Sequence, residues 1–112
     1  MNYKDYVKEL DKLYSVGNTT EHSFRGSLQS FLAELLPGYV VTNEPRRRDC
    51  GAPDYVITLK GAPVAFLEAK DIDNGDLDGR KLNKEQFDRY KSSLDRIIFT
   101  DYLDFHLYVG GE

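Results

Sequence analysis

Apolar residues recur through the first third of the chain at helical spacing. Tyr3, Tyr6, Val7, Leu10, Leu13 and Tyr14 fall three or four residues apart, which predicts an amphipathic helix over 3–14. Gly17 ends it, and Thr19 or Thr20 can cap a second helix whose first turn holds Glu21. Phe24, Leu28, Phe31, Leu32 and Leu35 form the buried stripe of that helix, and Pro37-Gly38 stops it. The period then shortens. Residues 39–42 are a short β-rich run. Two apolar runs, 55–59 and 64–67, flank the turn-rich tetrapeptide Lys60-Gly61-Ala62-Pro63, so they are expected to pair as a hairpin. Residues 71–81 are polar and glycine-containing and read as a loop. A helix over about 83–94 buries Phe87, Tyr90 and Leu94, and 96–100 and 105–109 are strands joined by 101–104.

The order is α-α-β-β-β-α-β-β. The run Arg-Ile-Ile-Phe-Thr at 96–100 suits a central strand covered by helices, so a mixed sheet flanked by helices, an α/β fold, is expected. A chain of 112 residues forms at most one domain and buries about two thirds of its unfolded surface. Its 40% hydrophobic and 30% charged content belongs to a globular chain rather than a disordered one. No apolar run approaches the roughly 20 residues of a membrane span, and MNYKDYVKEL lacks the apolar stretch of a signal peptide, so a cytoplasmic location is expected. A single cysteine, Cys50, forms neither an internal disulfide nor a thiolate metal cluster. The chain stops at Gly110-Gly111-Glu112 directly after a predicted strand, and it is expected to be the N-terminal piece of something longer.

Charge changes this picture only in part. A formal net charge of −4 argues against a protein that coats nucleic acid. It leaves room for a nucleic-acid enzyme, because a metal site needs carboxylates and brings its own positive charge. Such carboxylates interrupt the predicted hairpin, "GAPDYVITLKGAPVAFLEAKDID". Alternation puts Glu68 and Lys70 on one face and Ala69 on the other, while Asp54 begins the neighbouring strand. A tight turn brings all three charged residues to one end of the hairpin. Close carboxylates repel each other and, as hard oxygen donors, suit Mg²⁺ or Mn²⁺. With a lysine beside them the set suits hydrolysis of a phosphodiester. The competing reading is a solvated acid–lysine pair at a strand end.

Other features are less specific. Arg46, Arg47 and Arg48 can contact phosphates or form a solvated loop. Arg25 lies one turn after Glu21, where a local ion pair competes with a DNA contact. His22 and His106 have no ligand-spaced partner, and Cys50 reads as an incidental small residue. "NGDLDGRKLNKE", residues 74–85, comes close to a calcium loop, but it starts on Asn74, places Lys81 where an apolar residue is usual, and follows a strand.

Pro53-Asp54 followed by Glu68-Ala69-Lys70, with fourteen residues from Asp54 to Glu68, resembles the signature of the PD-(D/E)XK nuclease superfamily. Glu21 stands on the preceding helix, where many members of that superfamily carry another acid, and "QFDRY" is similar to the Q-x-x-x-Y motif of RecB-like nucleases. "TEHSFRGSLQSFL", "NEPRRRDCGAPDYVI", "LEAKDID" and "RYKSSLDRIIFTDYLDFHLY" look most like the N-terminal Mrr-like nuclease domain of type ISP (single-polypeptide) restriction–modification enzymes. The resemblance covers about residues 18–109, with an N-terminal helix over about 1–17 before it. It implies a restriction-endonuclease-like core and a Mg²⁺-dependent DNA endonuclease in which Mn²⁺ can substitute. Asp54 and Glu68 would bind the metal, with the Ala69 carbonyl as a further ligand and Glu21 as an outer or additional one. Lys70 would be the catalytic lysine. Gln86 would touch the nucleic acid or orient the site, and Tyr90 fits the motif, although its spacing equally suits the core. DNA would be the partner, and a helicase-like motor, a methyltransferase and a target-recognition domain would follow in the full-length polypeptide. The alternative is a nuclease-fold DNA-binding or protein-docking module without cleavage activity.

Overall fold

A computed structural model describes residues 2–16, 21–43, 51–72 and 75–112, the side chains of 16 and 21–23 excepted. The Gly17 stop, the Thr19 or Thr20 cap and the Arg46–Arg48 loop lie outside the described residues. Three helices, α1 (Tyr3–Val16), α2 (Glu21–Leu35) and α3 (Lys84–Ser93), accompany five strands, β1 (Val40–Asn43), β2 (Tyr55–Leu59), β3 (Ala62–Ala69), β4 (Arg96–Thr100) and β5 (Phe105–Val109). The order matches the sequence expectation.

The strands form one sheet in the order β1-β2-β3-β4-β5. All neighbours are antiparallel except β3 and β4, which run parallel and are joined by the crossover that contains α3. The β2–β3 hairpin turns more tightly than the tetrapeptide suggested. Lys60 and Gly61 have φ of 51° and 82°, so these two residues make the turn, and Ala62 and Pro63 already belong to β3. Positive φ at both central positions is the geometry that matches the twist of the flanking strands, and glycine makes the second position inexpensive.

Alternation along the strands sends side chains to two cores. Tyr55, Ile57, Leu67 and Ala69 join Val41 and Tyr102 beneath Tyr6, Leu10, Leu28, Phe31 and Leu32 of α1 and α2. There the rings of Tyr6 and Phe31 stack with centroids 4.5 Å apart. On the opposite face Val56, Phe66, Ile97 and Phe99 pack against Phe87, Tyr90 and Leu94 from α3, and the Phe87 and Phe99 rings stack at 3.6 Å. Each such side chain, fully buried, contributes about 1.5–3 kcal/mol of hydrophobic stabilisation. The result is a mixed α/β fold, a five-stranded mixed sheet with α1 and α2 on one face and α3 on the other. The charged end of β3 therefore lies at the end of a central strand, between two layers of helix.

Candidate active site

The hairpin register builds the site. Tyr55 pairs with Leu67, so one step further Asp54 stands beside Glu68. Asp54, Glu68 and Lys70 share strand parity with Val56 and Phe66, which face α3, whereas Ala69 turns into the core under α1 and α2. Asp54, Glu68, Ala69 and Lys70 line one cleft of about 390 Å³ together with Arg25, Asp71 and Asn83. Arg25 comes from α2 and Asn83 from the residue preceding α3, so the cleft collects groups from both helical layers.

Glu68 departs from the expectation of an exposed strand end. It is only 6% exposed, because parallel pairing with β4 makes β3 central and covers its C-terminal end. Its Oε2 lies 3.5 Å from Lys70 Nζ. Its Oε1 is buried and has no hydrogen-bond partner among the described residues. Burial first, then the charge of Asp54, raises the Glu68 carboxyl to about pKa 7, against the opposing pull of Lys70.

Asp54 is held at both oxygens. Oδ1 accepts a hydrogen bond from Arg25 Nη2 at 2.7 Å, and Oδ2 accepts one from the Ala69 amide at 2.8 Å. Within an extended strand a residue's N–H and C=O point to the same side, so the Ala69 carbonyl belongs to the Asp54 side of β3. The Lys70 amide donates to the Thr100 carbonyl at 2.8 Å, which extends the β3–β4 ladder to the lysine and fixes its backbone. Its ammonium lies 5.9 Å from the centroid of the Phe87 ring.

These groups fit a hard divalent cation. Two carboxylates and a backbone carbonyl are oxygen donors of the type Mg²⁺ and Mn²⁺ prefer. The unpartnered, buried Oε1 of Glu68 is the oxygen with most to gain from a ligand, since an unsatisfied buried acceptor is costly. Among the described residues, no group of three His, Cys, Asp or Glu side chains converges on one point. Any further protein ligand would come from backbone or from a side chain outside the described residues, and the Glu21 side chain is one of these.

The remaining candidates separate. Tyr90 is 2% exposed inside the α3-face core, so its ring serves packing and is withdrawn from a nucleic-acid surface. Gln86 is half-buried on α3 and is not among the described residues that line the cleft. Asp76, in the stretch that resembles a calcium loop, is turned inward. Its carboxylate accepts hydrogen bonds from the amides of Arg80, Lys81 and Asn83, which hold its pKa below the ordinary range. The loop thus uses its acid to organise backbone ahead of α3. His106 Nδ1 is 3.8 Å from Asp78 and away from the cleft.

Sequence reasoning missed three cleft residues, Arg25, Asp71 and Asn83. Arg25 was weighed against Glu21, whose side chain lies outside the described residues; it also pairs with Asp54, 29 residues away. Asn83 read as a helix-start residue; its side-chain amide also donates to the Asp76 carbonyl at 2.9 Å, which anchors the loop to the cleft wall. Helical spacing could have placed Arg25 on the face of α2 near Leu28 and Phe24. It does not identify the strand end that this face meets.

No protein-family model matches the chain, and no curated protein matches it. Among solved structures, the cryo-electron-microscopy structure of a DrdV–DNA complex is similar to it, with 25% sequence identity and a TM-score of 0.76. The match covers 98% of this chain and 80% of that one. Together with the mixed sheet flanked by helices, it is consistent with a restriction-endonuclease-like core.

Proposed function

We propose that this chain is a divalent-metal-dependent DNA endonuclease domain, the cleavage module of a restriction–modification enzyme that also carries a helicase-like motor, a methyltransferase and a target-recognition region. The observation that carries the reading is the Glu68 carboxylate. It is buried, raised in pKa, lacks a partner at Oε1 among the described residues, and sits with Asp54 and Lys70 in one polar cleft. An acid whose role is only structural has no physical need for that environment, because burying a carboxylate beside a second one costs stability. The similar structure is a complex with DNA, which supports DNA as the partner.

Asp54 and Glu68 would hold the cation, Mg²⁺ or Mn²⁺, with the Ala69 carbonyl and Glu21 of α2 as the further ligands the resemblance implies. When bound, the cation lowers the pKa of a water and stabilises charge on a phosphoryl oxygen. Lys70 keeps its ammonium 3.5 Å from Glu68 Oε2. It orients the attacking water and offsets the negative charge that grows on the phosphate. The Ala69 amide fixes Asp54 Oδ2, so Asp54 presents a single orientation to the cleft.

The test is plasmid nicking with Mg²⁺ or Mn²⁺, using the 112-residue chain and the longer polypeptide. Folded Glu68→Ala and Lys70→Ala proteins are expected to cut at least ~100-fold more slowly than wild type. Lys70→Ala should retain cation binding, since an ammonium is not a ligand. Cutting at the wild-type rate by either variant sinks the site assignment. DNA binding without any cutting by the wild type in the longer polypeptide favours the non-cleaving module instead.

A further inference from the structure

We propose that Arg25 is an internal counter-ion of the cleft, exchanged for the divalent cation when the site loads, and so a positioning residue that sets how tightly the cation is held. This rests on reading Asp54 and Glu68 as the cation's ligands. Of the two Asp54 oxygens, Oδ2 is tied to backbone through the Ala69 amide, while Oδ1 is tied to a side chain, the Arg25 guanidinium at 2.7 Å. Oδ1 is therefore the oxygen that a ligand can claim without disturbing the sheet. Mg²⁺ sits ~2.1 Å from a carboxylate oxygen, which would leave it about 4 Å from a guanidinium on the same atom. Two cations that close in a part-buried cleft repel strongly. The Arg25 and Asp54 side chains are only 13% and 14% exposed, so water screens that repulsion poorly.

The backbone at Arg25 stays in place during the exchange. The Tyr55 hydroxyl, on a residue that is fully buried, donates to the Arg25 carbonyl at 3.1 Å and ties this turn of α2 to β2. Only the side chain has to move. It already lines the cleft that holds Lys70, so once displaced from Oδ1 its planar fork stays within reach of a ligand in that cleft. There it meets the chemistry it binds best, the paired oxygens of a phosphodiester. The residue that protects Asp54 before loading becomes a phosphate contact afterwards, which couples cation binding to DNA binding.

The experiment is calorimetric titration of the 112-residue chain with MnCl₂, for wild type, Arg25→Gln, Arg25→Lys and, as a control, Glu68→Gln. Arg25→Gln is expected to bind Mn²⁺ about tenfold more tightly, because the Arg25 guanidinium no longer competes for Oδ1. Arg25→Lys should stay near wild type. Duplex-DNA affinity with Mg²⁺ present should fall severalfold in Arg25→Gln despite the tighter cation, a split that a merely structural arginine would not produce. In wild type, the Arg25 Nε–Hε resonance should move on saturation with Mg²⁺. Equal or weaker Mn²⁺ binding by folded Arg25→Gln overturns the proposal, as does an Arg25 resonance unmoved at saturating Mg²⁺. The second measurement decides the matter if Arg25→Gln does not fold. Cation binding that needs Glu68 but ignores Arg25 removes only the counter-ion role. No binding by either wild type or Arg25→Gln removes the metal-dependent reading itself, and this proposal with it.

Discussion

Glu68 makes the folded chain sensitive to pH before any ligand is present. Its carboxyl titrates at about 7 when folded, against an ordinary value of 4.5, with burial as the main cause. Between those values the folded chain holds a proton that the unfolded chain has released, so stability falls as pH rises through this window. Above pH 7 the whole penalty is present, on the order of 3 kcal/mol. Wild type without metal is therefore expected to be more stable at pH 5 than at pH 8 as far as this group is concerned. Glu68→Gln should remove that difference and be the more stable protein at pH 8. Urea midpoints of both proteins across pH 4.5–8 measure it, and parallel curves would show that Glu68 is not the group responsible. Mg²⁺ binding selectively to the ionised folded form should restore wild-type stability above pH 7.

At the scale of elements, the crossover from β3 to β4 is set by close packing between its loop and α3. Gly79 has φ of +69°, and a Cβ there would lie 2.5 Å from Phe87 Cδ2 and 2.9 Å from Phe87 Cβ. Phe87 in turn stacks on Phe99 and carries the Lys70 ammonium over its ring. Gly79→Ala combines left-handed strain with overpacking and is expected to cost about 2–3 kcal/mol, read as a lowered urea midpoint. It should also slow cutting, because the ring that shifts is the one beneath Lys70. Gly26, in α2, has open space around its Cβ position and no positive φ. Gly26→Ala should therefore stabilise by about 0.5–1 kcal/mol through helix propensity alone. Equal effects at the two glycines would mean that the Phe87 contact does not govern the loop. The same loop shows why a calcium-like spacing is not a calcium site. Asp76 points inward, held by the backbone amides of Asn83, Arg80 and Lys81, and the same hydrogen bonds lower its pKa.

For the whole molecule, the balance of charge limits what the chain does alone. With a formal charge of −4, it has little to release from the DNA counterion atmosphere. The 112-residue chain is expected to bind duplex DNA weakly and without sequence preference, and to become weaker still as salt rises. Fluorescence anisotropy with several unrelated duplexes at graded salt tests this, and tight, sequence-selective binding would contradict it. Neutralising the cleft with Mg²⁺ should strengthen binding, since two carboxylates otherwise face the phosphates.

The amino-acid sequence by itself determined the number, kind and order of the elements, because helical and strand periodicities are local. Local rules also placed Asp54, Glu68 and Lys70 near one end of a hairpin, since the turn between the two runs is short; the register shift between Ile57 and Thr58, which sets Asp54 opposite Glu68 and on its face, came only with the structure. They made the turn too long by treating Ala62 and Pro63 as part of it. Periodicity says which face a side chain takes but not what that face meets. Only the tertiary structure decided that β4 pairs parallel to β3, which makes a charged strand end central and buries Glu68. Only it decided that Arg25 meets Asp54 across 29 residues, whereas the burial of Tyr90 followed the helical spacing. These are long-range outcomes, set by which apolar faces of distant elements cover one another. The polar groups at the ends of those elements are carried to their partners by that packing.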